Sequence, residues 1–321
     1  MRQIWNAMID RKPALIARCT STEDVIRAIQ FGRTQNLLIS IRGGGHNIAG
    51  NAVCDDGLMI DLSLMKDVQV DLTTRTASVG PGCTLGDFDQ VVQAHGLATP
   101  LGINSTTGVA GLTLGGGFGW LSRKYGMTID NLLSAEVITA DGQQLNASES
   151  ENADLFWGLR GGGGNFGVVT RFDFQLHPVG PNVLSGLIVF PFEQAKSVIS
   201  QFARFTETMP EELNVWMVTR KAPPLPFLPA EVHGREMIAL ALCYVGDPEE
   251  GGKAYRAATR VRHGAGRARR RATLYGLAAG LRSAAGERGA QLLEVAQLCA
   301  NQRRRDRSHH RIRGQAAVPA L

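Results

Sequence analysis

Three stretches crowded with glycine constrain this chain more than any other feature of its sequence: "IRGGGHN" from Ile41, "GVAGLTLGGGFG" from Gly108 and "GLRGGGGNFG" from Gly158. A residue without Cβ can take positive φ and bring its N–H groups against another molecule, at an ordering cost of roughly 0.5–1 kcal/mol. The first stretch follows the apolar run "LLISI" and the third precedes "VVTRFDFQL", so both abut candidate strands. A single loop of this kind is equally open to reading as a tight turn. Three of them within about 180 residues predict a large ligand lying extended across the fold, and an elongated, pyrophosphate-bearing cofactor fits that shape. Neither GxGxxG opening a helix nor GxxxxGKS occurs in its required context, which argues against a dinucleotide-binding Rossmann unit and against a P-loop.

Between the glycine stretches the pattern is mixed α+β. Ser21 to Gln35 starts on a capping serine and places Val25, Ile26 and Ile29 at helical spacing. Leu37 to Ile41 reads as a buried strand, and "GLMIDLS" and "DVQVDLTTRTASVGPG" as further strands ending in the Gly80-Pro81-Gly82 turn. A second helix runs through "TLGDFDQVVQAHG", with Leu85, Phe88, Val91 and Val92 inward and Gly96 closing it. The glycine-dense segment from Gly102 to Leu132 is expected to be largely loop, and Val168 to Leu176 a strand.

Of 321 residues, 44% are hydrophobic, enough for two domains with proper cores, and no apolar run approaches the ~20 residues of a membrane span. The N-terminus lacks the apolar core of a secretory signal, so a cytoplasmic location is expected. Cys19, Cys54, Cys83, Cys243 and Cys299 form no CxxC pair, so buried or idle thiols are expected and no metal site. The net charge of +5 is unevenly spread. From Ala258 to Leu321 there are 14 arginines, no lysine and three acids, a balance of +11 that leaves −6 for the residues before it. That stretch has no Phe or Trp to stack bases, so nucleic acid is not an expected partner.

In order and spacing, "IRGGGHNIAG", "MIDLSLMKDVQVD", "VGPGCTLGDFDQ", "GVAGLTLGGGFGWLSRKYGMTIDNLLSAEVITADGQ" and "LFWGLRGGGGNFGVVT" resemble the FAD-binding domain of the p-cresol methylhydroxylase/vanillyl-alcohol oxidase superfamily. Within it, they are most similar to bacterial berberine bridge enzyme-like oxidases, over about Ile16 to Ala257. The resemblance implies a two-subdomain FAD-binding domain over 1–179 and an antiparallel-sheet substrate domain begun at 180–257. It implies FAD as cofactor, a small organic substrate such as an alcohol or sugar carbinol, and O2 as electron acceptor. The cofactor-binding positions it implies are Arg42, Gly43, Gly44, Gly45, His46, Asn47, Pro81, Asn104, Thr106, Gly108, Gly111, Gly115, Gly116, Gly117, Gly119, Asn165, Gly167 and Val168. In such enzymes the histidine at the position of His46 is bonded to the 8α-methyl carbon of the flavin. Members with two covalent links carry a cysteine where this chain has Asn104, so attachment through His46 alone is expected. Leu112 stands where that pattern has a histidine, and Ile48 where it has a tyrosine, so plant alkaloid chemistry is not expected.

No catalytic base is identified, since the family places it further along the substrate domain. The stretch 258–321 instead reads as a basic tail produced by a one-base frame shift just after Ala257. A coding sequence for "TLYGLAAGLRSAA" can be written whose one-base shift reads PFTAWQQAFDPL, and "RGAQLLEVAQLCAN" similarly yields AARNYWKSHNFAP, both resembling substrate-domain text.

Overall fold

The computed structural model describes residues 2–224, 228–259 and 266–273. The frame-shift reading falls mostly on residues outside these. The chain divides into two compact units, one built mainly on residues up to Val183 and the other mainly on Leu184–Cys243.

The first unit opens with β1 (Leu15–Arg18), α1 (Thr22–Thr34), β2 (Ile39–Arg42) and β3 (Leu58–Asp61), the strands pairing in parallel in the order β1-β3-β2. Ser21 caps α1 by accepting the Asp24 N–H, a contact of about 1 kcal/mol. Val25, Ala28 and Ile29 of α1 then pack on Leu58, Ile60 and Leu62. Strand β2 begins two residues later than its apolar run suggests, because the Leu37 N–H is drawn back to the Gly32 carbonyl at 2.8 Å.

Next come β4 (Val68–Asp71), β5 (Thr76–Val79), α2 (Leu85–Gln93), the two-residue β6 (Leu97–Ala98), α3 (Val109–Leu114) and α4 (Ser122–Tyr125). These are followed by β7 (Leu132–Ile138), β8 (Gln144–Ser148), α5 (Ala153–Leu159), β9 (Val168–Gln175) and the short β10 (His177–Pro178), which pairs with β6. The larger sheet runs β4-β5-β9-β7-β8, antiparallel throughout. Thr84 and Asp87 close a capping box on α2, which seats Phe88 edge-on to Phe174 at 6.1 Å between centroids. Burying an aromatic of that size contributes about 2–3 kcal/mol. A six-residue helix, α3, forms inside the glycine-dense segment expected to be mostly loop. Its buried face of Val109, Ala110, Thr113 and Leu114 joins the core under α2, and tertiary burial overrides the helix-weakening effect of Gly111.

In the second unit, β11 (Asn182–Pro191), α6 (Ala195–Phe205), β12 (Leu213–Lys221), β13 (Glu236–Tyr244), α7 (Pro248–Thr259) and β14 (Gly266–Thr273) form a sheet ordered β12-β13-β11-β14 with two helices. Every residue of β13 after Glu236 is buried, which matches its nearly unbroken apolar sequence. No helix among the described residues is long and apolar enough to cross a membrane.

Candidate functional site

The first two glycine stretches meet. At Gly44 a Cβ would lie 2.4 Å from Gly108 Cα, and at Gly108 one would lie 2.5 Å from Gly44 N, so the two backbones touch where neither residue has a side chain. Gly43 is held next to the Pro81 carbonyl, to which its Cβ would come within 3.0 Å. Gly45 takes φ +67°, the left-handed region. Among the described residues the backbone N–H groups of Gly43, Gly44 and Gly45 donate to no protein acceptor. Successive unclaimed N–H groups at a strand end, with one residue left-handed, are the backbone elements from which phosphate-binding nests are built.

The Arg42 guanidinium lies beside Gly45, where a Cβ would come within 3.2 Å of its Nε. Its Nη1 donates to Asp61 Oδ1 at 3.1 Å and its Nη2 to the Gln3 carbonyl at 3.3 Å. Asp61 is 1% exposed and also accepts from the Ser63 N–H and hydroxyl. The guanidinium therefore neutralises a buried carboxylate and braces the loop from behind, as removing either partner would strand a buried charge.

His46 is half-buried at the far end of the loop. Its Nε2 lies 3.1 Å from Thr106 Oγ1, and Thr106 Oγ1 donates to Asn104 Oδ1 at 2.8 Å. The Thr106 N–H donates to the same Oδ1 at 3.1 Å, so the amide oxygen, not its nitrogen, faces Thr106. With its proton committed to Asn104, the Thr106 hydroxyl accepts from the Nε2–H of His46. The indole of Trp5 stacks on the imidazole at 5.1 Å with the planes 26° apart. Asn104, which the family resemblance aligns with the second tether of doubly linked members, is thus joined to His46 through Thr106.

The other expected positions serve the fold in visible ways. Asn47 Oδ1 accepts from the Asn51 N–H. Gly115 ends α3, Gly116 and Gly117 take φ +103° and +67°, and a Cβ at Gly119 would lie 1.8 Å from the Leu101 carbonyl. Gly111 looks outward with nothing within 4 Å of where its Cβ would stand. In the third stretch, Asn165 donates to the Gly162 carbonyl, Gly167 passes against the Ile138 carbonyl, and Val168 is buried with α1. Sequence reasoning missed Trp5 and Asp61, neither of which carries a local signal.

The cysteines of this unit offer no alternative nucleophile beside the loops. Burial pushes the Cys83 thiol up to about 12, and it lies next to the Thr84–Gly108 bridge without exposure. Cys19, Cys54, Cys83 and Cys243 are all buried and free. On α2, burial alone pushes the Asp89 carboxyl up to about 7.

Residues 13–148 match the family model of the FAD binding domain. An (R)-6-hydroxynicotine oxidase of Paenarthrobacter nicotinovorans is 40% identical over 187 residues, covering 58% of this chain and 41% of that protein. The crystal structure of 6-hydroxy-D-nicotine oxidase from Arthrobacter nicotinovorans superposes with a TM-score of 0.78 at 28% identity, over 88% of this chain and 61% of that one. A glucooligosaccharide oxidase from Acremonium strictum, described with a 6-S-cysteinyl, 8α-N1-histidyl FAD, gives 0.76 at 27% identity, over 88% and 58%. The chain spans less than half the length of the curated relatives it matches. With its first two glycine stretches in contact and these relatives in both sequence and structure, the chain carries, over residues 13–148, an FAD binding domain similar to that of FAD-linked oxidoreductases.

Proposed function

We propose that this chain holds FAD in the clasp of its first two glycine stretches, tethered at His46 alone, in an oxidase acting on a small alcohol or sugar carbinol with O2 as acceptor. Bound FAD supplies a two-electron acceptor for hydride from the substrate carbon. The N–H groups of Gly43 to Gly45 would meet pyrophosphate oxygens, and Arg42, bonded to Asp61 and to the Gln3 carbonyl, braces the strand end from which they leave. Domain boundaries near 179 and 257 belong to the same reading.

The observation that supports the tether is the position of His46, at the end of the first glycine loop and held through Thr106 to Asn104. In that tether the imidazole would be joined at Nδ1 to the 8α carbon of the flavin. The name of the glucooligosaccharide oxidase relative, with its N1-linked histidine, supports the same choice of nitrogen.

Flavin in the wild-type chain is expected to stay with the protein through acid precipitation, and a flavin-bearing peptide to map to His46 substituted at Nδ1. His46→Ala is expected to retain FAD yet release all of it in acid. Flavin found on a cysteine, or acid-stable flavin in His46→Ala, overturns the assignment. The switch in composition at residue 258 favours a second reading, a flavoprotein fold without turnover, in which FAD is held but no peroxide forms from alcohols or sugars.

A further inference from the structure

The loop from Arg42 to Gly50 is poorly supported by its own hydrogen bonds. Within it, the Gly50 N–H reaches the Asn47 carbonyl at 3.2 Å, while residues 43 to 45 donate nothing to the described backbone. Support comes from the first eleven residues. The Trp5 N–H donates to the Gly45 carbonyl at 2.9 Å, Asn6 Nδ2 to the Ile48 carbonyl at 2.8 Å, and Arg11 Nη1 to the Gly50 and Val53 carbonyls, both at 3.1 Å. The Gln3 carbonyl accepts from Arg42, and Ile9 packs where a Gly50 side chain would stand. This strap crosses the loop on the side where the His46 ring lies, and Trp5 supplies the ring stacked on it.

We propose that the segment Gln3–Arg11 is a working part of the flavin site and that Trp5 is a positioning residue which sets the plane of the His46 imidazole. This rests on the reading of His46 as the attachment residue. The hydrogen bond to Thr106 holds Nε2, one atom of the ring. A contact on the ring face restrains the plane of the ring, and the stack at 5.1 Å is such a contact. A turn of the ring about the Cβ–Cγ bond swings Nδ1 through an arc, and a displacement of about 1 Å from the attack geometry lowers a rate on the order of a hundredfold. Trp5 thus acts on the rate at which the N–C bond forms, through His46, and not on how tightly FAD is held.

The test uses the full chain, prepared without flavin and then given FAD, with Trp5→Leu and Trp5→Phe beside the parent. Non-covalent retention is read by gel filtration within the first minute, and attachment as flavin surviving acid over time. The ring geometry is read separately, without flavin, from the His46 Cε1 proton, which an indole face shifts upfield. Trp5→Leu is expected to bind FAD within about threefold of the parent, to form the acid-stable adduct at least tenfold more slowly, and to lose the upfield shift. Trp5→Phe, which keeps a ring face, is expected to recover most of the rate. A parental attachment rate in Trp5→Leu overturns the proposal, and so does a loss of FAD retention as large as the loss of attachment, which would mark Trp5 as merely structural. If the parent binds FAD but none survives acid, the attachment reading falls, while a shift of the His46 proton lost in Trp5→Leu still sustains the orienting role.

Discussion

The clasp of the first two glycine stretches and the third stretch at residues 161–167 have nearly the same composition and use it for opposite reasons. In the clasp, Gly44 and Gly108 are glycines because two backbones meet there, and the N–H groups of Gly43 to Gly45 donate to no described backbone carbonyl. In the third stretch, Gly161 and Gly164 face open space, while Gly158 and Gly162 are small so that the Phe166 ring can lie over them. Glycine content alone therefore says that a chain bends or approaches something closely. What it approaches is a matter of the partner segment, which for Gly44 lies 64 residues away.

The comparison is broken most severely by Gly44→Val. Its branched side chain would have to occupy the space of Gly108 backbone atoms, which cannot swing aside like a side chain. Overpacking of this kind runs to about 3 kcal/mol, so flavin retention is expected to fall on the order of a hundredfold, read as FAD lost on gel filtration. Retention like that of the parent would show that the clasp does not shape the site.

A smaller effect is expected from pH on the clasp side alone. The Leu85 N–H of α2 reaches the Thr107 carbonyl in the second stretch, and the same helix carries Asp89, whose carboxyl rises from 3.8 to about 7. The folded state holds that proton more tightly than the unfolded state. Stability is therefore full below 3.8 and declines as pH rises from there to about 7, by roughly 4 kcal/mol at most. Asp89→Asn is expected to flatten this slope in urea unfolding between pH 4 and 8, and an unchanged slope would exclude Asp89 as its source.

The third stretch sharpens the comparison by its tolerance. Gly161→Ala is expected to lower stability by about 1 kcal/mol although nothing crowds it, because φ is +117°. Gly164→Ala, with φ −82° and open space, is expected to stay within about 0.5 kcal/mol of the parent, and both should retain FAD. Thermal unfolding of the pair separates the cost of backbone angle from the cost of space.

Much of the architecture is local and therefore readable in the sequence. Ser21 and Thr84 cap helices through bonds to residues three positions on, the apolar spacing of Val25 and Ile29 or of Leu85 and Phe88 chooses the buried face, and β9 and β13 carry their burial in their composition. The resemblance of "IRGGGHN" and its companions likewise points to FAD from residues alone, because a pyrophosphate must be met by backbone where no Cβ intervenes. Strand β2 starts two residues later than its apolar run suggests because the Leu37 N–H closes the end of α1 on the Gly32 carbonyl, five residues back, a bond the apolar run does not show. Only the tertiary structure decided that Arg42 bonds to Asp61, that Thr106 links His46 to Asn104, and that Trp5 lies on the His46 ring. Each of these joins residues 19 to 60 positions apart, and no helical or strand period links such positions, since their contact exists only once the β1-β3-β2 sheet and the second glycine stretch have brought their loops to the same end of the fold.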